Sequence, residues 1–122
     1  MKLIILISIL PIPQKMKSWL CTLHLNHLFP KDPYAQIFYI DAAIKKERIE
    51  TTKQVDGFIR QGLPCKELIL IRQGIEELSQ MRLRVLNVLK DNIPKNTIVS
   101  HSDFYKKLIE RIDRRIEQIQ SL

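Results

Sequence analysis

Hydrophobic residues recur along this chain three and four positions apart, and nowhere do they alternate with polar ones over the length of a strand. That period lines apolar side chains along one face of a helix. Helices are predicted at 14–28, 34–61, 64–92 and 100–119, divided by "PKDP" at 30–33, "GLP" at 62–64 and "NIPKN" at 92–96. The stripe of the second reads Ile37, Ile40, Ile44, Thr51, Val55, Phe58 and Ile59, interrupted by Arg48. Asp32 is placed to cap it, Pro33 falls in its first turn and Gly62 supplies a left-handed stop. The third carries Leu68, Ile71, Ile75, Leu78, Val85, Leu86 and Leu89, and Leu70, Met81 and Val88 widen its apolar sector as in a helix touched on two sides. Short connections make consecutive helices antiparallel neighbours. The expected fold is therefore all-α. An antiparallel helical bundle of three long helices fills residues 34–122, after an apolar N-terminal segment and a short helix in residues 1–33.

The last of these helices, "SHSDFYKKLIERIDRRIEQI", sorts its charges. Ser100 and Asp103 have the spacing of a capping box. Phe104, Tyr105, Leu108, Ile109, Ile112, Ile116 and Ile119 fill one side of the helix, and Asp103, Glu110, Asp113 and Glu117 most of another. Lys107, Arg111, Arg114 and Arg115 gather on a third, beside the apolar stripe. A merely solvated helix mixes its signs, because Glu-to-Lys pairs four apart stabilise it; here Glu110 and Arg114 form one such pair, but most of the charge is sorted. The bland reading is an edge balanced by Glu67, Glu76 or Glu77 on a neighbouring helix. The functional one is a cationic groove with an apolar floor, suited to a peptide that ends in acids and an aromatic.

The opening residues, "MKLIILISILPIPQ", have a Lys before an apolar run from Leu3 to Leu10, as a signal peptide does. The run falls far short of the ~20 residues that span a bilayer, prolines close it, and no small-x-small cleavage site follows. A cytoplasmic chain whose first residues pack on the core or are poorly ordered is the preferred reading, with Met1 or Met16 as the start.

Lys and Arg outnumber Asp and Glu by 20 to 13. That excess suits nucleic acid, an anionic membrane surface or an acidic protein segment without choosing among them. Few aromatics leave no evident platform for stacking bases. Cys21 and Cys65 lie far apart without a CxxC pair, as in a reduced compartment rather than a disulfide-stapled domain. Cys21, His24 and His27, with Cys65 or His101, have the chemistry of zinc ligands but not the paired knuckles that zinc sites use, so no metal or other cofactor is expected. The acids sit beside basic neighbours, and neither a glycine-bounded nucleophile nor a glycine-rich phosphate loop occurs. No enzyme is expected and no catalytic residue is assigned. Arg48 and Arg82 interrupt apolar stripes; the expectation is that their stems pack along the core edge with the guanidinium reaching outward, the alternative that they face a partner.

"HLF" at 27–29, "QGLP" at 61–64 and, above all, "HSDFYKKLIERIDRR" at 101–115 resemble the primosomal replication protein N″ (PriC) family. His101, Asp103, Phe104, Lys107, Leu108 and Ile112 fall in register with that family's H-x-D-[FY]-x-[RK]-R-L-x-x-M-[IV]-x-x-R pattern. The resemblance implies an all-helical replication-restart adaptor that binds the acidic tail of single-stranded DNA-binding protein and helps load the replicative helicase. Lys107 stands where the family has a basic residue implicated in tail binding, as a point charge rather than a bidentate fork. The family usually continues with a further helical segment, whereas this sequence stops at Leu122.

The expected function is binding: a DNA-replication adaptor that presents Lys107, Arg111, Arg114 and Arg115, with Phe104 and Leu108, to an acidic peptide or to DNA. The alternative is a helical protein–protein interaction module of another system, such as a secretion chaperone, an antitoxin-like partner or an assembly subunit, in an oligomeric form. A third reading tethers the chain to a membrane surface through residues 3–10.

Overall fold

The apolar run at the start of the chain coils into a helix of its own, α1 (Lys2–Ile9), adding an element to the expected order. The computed structural model, which describes residues 1–30 and 32–122, continues with α2 (Gln14–Leu28), α3 (Pro33–Arg60), α4 (Cys65–Val88), a single 3-10 turn (Lys90–Asn92) and α5 (Asn96–Gln120). The chain is all-helical, with no strand among the described residues.

Local chemistry sets the ends of α3. The Asp32 carboxylate accepts from the Ala35 amide at 3.0 Å, and Pro33 occupies the first turn, where a missing N–H costs nothing. Gly62, at φ 67°, takes the left-handed conformation that a side chain resists. The expectations for the next two boundaries need correction. α4 ends at Val88, and its exit tightens into the 3-10 turn, with the Leu89 amide shared between the carbonyls of Val85 and Leu86. α5 starts at Asn96, directly behind Pro94, whose carbonyl accepts the Thr97 amide at 3.1 Å. Ser100 is thus inside the helix and caps nothing. Its hydroxyl oxygen accepts from Arg48 Nη1 at 3.1 Å instead.

Buried side chains form two clusters. The first joins Ile4 and Ile7 of α1, Cys21 and Leu25 of α2, Ile40 of α3 and Val85, Val88 and Leu89 at the end of α4. The opening segment therefore belongs to the core. The second joins Val55 of α3, Leu68 and Ile75 of α4, and Tyr105, Leu108, Ile112 and Ile116 of α5. Each of the larger aliphatic side chains contributes about 1.5–3 kcal/mol by leaving water. A buried amide stitches α2 to α3: Gln36 Nε2 donates to Asn26 Oδ1 at 2.8 Å and to the Phe29 carbonyl at 3.3 Å.

Candidate functional site

Between the two apolar clusters lies a polar layer, and it explains the arginines in the stripes. Arg82 of α4 reaches Glu47 of α3 at 2.8 Å. Burial pushes the Glu47 carboxyl above the usual carboxylate range, and the Arg82 charge partly offsets this. Arg48 lies over the Phe104 ring, 5.4 Å from its centroid, while donating to Ser100. Both guanidinium groups thus serve contacts within the chain rather than reaching outward, and Arg48 Nη2 and Arg82 Nε are buried without a hydrogen-bond partner. His101 is buried, its Nε2 3.0 Å from the Ser79 carbonyl. A carbonyl only accepts, so Nε2 carries the proton. Desolvation lowers the His101 pKa and nearby Arg48 adds to this, against the raising effect of the Ser79 hydrogen bond. The Tyr105 ring packs on His101 at 4.7 Å, and burial raises the pKa of its hydroxyl. The cavity beside this layer, about 20 Å³, admits no more than a water-sized guest.

The same contacts sort the basic strip of α5. Ser100, Phe104 and Arg111 lie along the seam with α3, where Arg48 meets the first two and the Asp56 carboxylate accepts from Arg111 Nη2. Arg115 is half-buried, with its Nε lacking a partner and its Nη1 3.4 Å from Gln118 Oε1. Lys107 and Arg114 are exposed, and neither is in an ion pair among the described residues. The carboxylate that engages the strip is therefore Asp56, not Glu67, Glu76 or Glu77. Glu76 is taken by Arg72, which also binds Asp113 of α5, both at 2.6 Å. The hydrogen bond to Asp113 is the main reason the Arg72 pKa is raised.

Leu108 and Ile112, expected as the apolar floor of a groove, are 3% and 1% exposed. They pack into the second cluster and leave no floor for an incoming aromatic. Phe104 is half-buried, edge-on to Tyr105 at 5.1 Å. The exposed ridge of α5 thus carries Lys107 and Arg114 beside the likewise exposed Asp103 and Glu110, backed by a filled core.

Cys21, His24 and His27 do not converge. Cys21 is fully buried, with its thiol pushed up to about 11 by desolvation, whereas His27 is exposed. No group of three His, Cys, Asp or Glu side chains gathers as a metal site among the described residues.

Of two exposed apolar surfaces, the first was not anticipated, and the second extends the apolar run at residues 3–10 that the membrane-surface reading singles out. Tyr34 and Phe38 of α3 are 84% and 76% exposed, and they border a groove of about 470 Å³ that runs past Ile37 and Ile44 to Ile93 and Pro94. The signal was present: both aromatics lie off the Ile37–Ile40–Ile44 stripe, too far round the helix to reach the same core. The second surface is on α1 and α2. No helix among the described residues is long and apolar enough to cross a membrane. Comparison with known proteins finds no match, whether among family models, curated proteins or solved structures.

Proposed function

We propose that this chain is a non-enzymatic helical adaptor whose α5 ridge receives an acidic segment, and that the process it serves is replication restart. By the family resemblance the partner is the acidic tail of single-stranded DNA-binding protein, with DNA phosphates as a second ligand and the replicative helicase as a downstream partner. The observation that carries this reading is the distribution of ion pairs. Asp56 neutralises Arg111, while exposed Lys107 and Arg114, with Asp103 and Glu110 one turn before them, are in no ion pair among the described residues and remain open to a partner. The scaffold in this reading is an antiparallel bundle of α3, α4 and α5. Its support is the order of contacts between α4 and α5: Cys65 meets Ile116, Arg72 meets Asp113 and Ser79 meets His101.

The test is fluorescence anisotropy of a labelled acidic tail peptide, titrated with wild type and with Lys107→Glu. Loss of ten-fold or so in affinity, with unchanged melting, is the expected result. Wild-type protein that fails to bind the peptide sinks the proposal. DNA binding is recognised by a steep fall in affinity with salt, since phosphate neutralisation releases counterions.

A second reading, a protein–protein interaction module, draws on the groove at Tyr34 and Phe38. Exposed aromatics of this kind are what an interface core buries. Sedimentation of wild type and Phe38→Glu separates the two readings: self-association abolished by the substitution favours the module.

A further inference from the structure

The first acidic residue in the sequence is Asp32. Before it, α1 and α2 form a hairpin tied near its closed end by Lys17 Nζ, which donates to the Ser8 carbonyl at 2.9 Å. Ile4, Ile7, Cys21 and Leu25 fix this hairpin to the core. Two apolar stripes on it are left uncovered. Leu3, Leu6 and Ile9 recur every third residue of α1 at 46%, 52% and 56% exposure. Met16, Trp19 and Leu23 form a stripe along α2 at 47%, 59% and 46%. The residues beside these stripes include Lys2, Lys15 and His27, all exposed.

Apolar stripes whose only formally charged neighbours are lysines, with an exposed indole among them, are the composition of a helix that lies in a bilayer interface. We propose that the α1–α2 hairpin docks on an anionic lipid surface, lying in the headgroup region without crossing it. The apolar side chains enter the acyl boundary, Trp19 sits at the headgroup level, and Lys2 and Lys15 meet lipid phosphates. A second copy of this chain is a poorer occupant, because two such hairpins bring together lysines with no carboxylate between them. This inference rests on neither reading of function above, since it uses no residue of the α5 ridge or of the Tyr34 groove.

Trp19 is the only tryptophan, so its emission reports this surface alone. The full chain is titrated with vesicles of phosphatidylcholine containing phosphatidylglycerol, and separately with phosphatidylcholine alone. The expected result is a saturable blue shift with anionic vesicles, quenching by brominated acyl chains, and reversal as salt shortens the range of the charges. Leu23→Glu keeps the reporter and is expected to weaken vesicle binding by about tenfold or more, through lost burial and an added like charge. Lys107→Glu is expected to leave the blue shift intact. The inference is overturned by an emission that no vesicle moves, by equal response to neutral vesicles, or by binding that only Lys107→Glu abolishes. A blue shift that follows protein concentration without lipid overturns it too, and assigns the stripes to a protein contact. Brominated-lipid quenching of wild type decides the matter even where Leu23→Glu fails to fold.

Discussion

Asp56 on α3 holds Arg111 on α5 in an ion pair whose side chains remain 33% and 41% exposed. The pair subtracts one cation from the ridge without burying it. Asp56→Asn is therefore expected to restore that charge and tighten binding of an acidic peptide by about two- to fivefold, at a stability cost of no more than about 1 kcal/mol. Peptide anisotropy and urea denaturation measure the two effects. A peptide affinity that stays the same or falls would place Arg111 outside the binding surface.

Leu108 and Ile112 belong to the core rather than to a partner. Ile112→Ala is expected to destabilise the fold by about 2–4 kcal/mol, because it opens a cavity where the second cluster is closed. The readout is the urea midpoint. A loss below about 1 kcal/mol, with weaker peptide binding, would return this side chain to the partner surface.

His101 gives stability a pH dependence whose sign follows from its lowered pKa. The unfolded state binds the proton more readily, so the contribution is fully present above the unfolded value of about 6.5 and is lost as pH falls through the folded value. Glu47 acts oppositely: its raised pKa makes protonation easier in the folded state, so it cannot cause a loss on acidification. Lower urea midpoints at pH 5.5 than at pH 7.5 are expected, with a flatter profile for His101→Gln. An equal slope in that variant would point to another group.

The two thiols should react in a fixed order. Cys21 is fully buried and hard to ionise, while Cys65, at the start of α4, is half-buried with its Sγ 3.7 Å from the Ile116 carbonyl of α5. A thiol reagent is expected to label Cys65 in the native protein and Cys21 only on unfolding. Mass spectrometry of tryptic peptides over time checks this, and early labelling of Cys21 would mean that α2 opens readily from the core.

Much of the fold was legible because it depends on local signals. The 14–28 helix has the observed bounds, and Asp32, Pro33 and Gly62 mark the ends of α3 as their chemistry requires. The start of α5 was misplaced because Ser100 and Asp103 have the spacing of a cap, whereas Pro94 had already supplied the break. The helix of the opening run was missed because a continuous apolar stretch has no periodicity to read. The site was less legible. Periodicity put Leu108 beside the basic residues but could not say that α3 and α4 close over it. Nor could it pair Arg111 with Asp56, a contact made across 55 positions of sequence.

The N-terminal hairpin and its seat are far apart in the chain. Leu25 and Ile4 rest on Val85, Val88 and Leu89, which a ribosome adds roughly 60 residues after Leu25, a delay of roughly 3–12 s at ordinary elongation rates. For that interval Ile4, Ile7, Cys21 and Leu25 have no α4 to cover them, and the hairpin leaves the exit tunnel with these side chains added to its exposed apolar stripes and with no acid of its own. During biosynthesis it is thus the part of the molecule most in need of a temporary host, whether a chaperone cleft or a lipid surface.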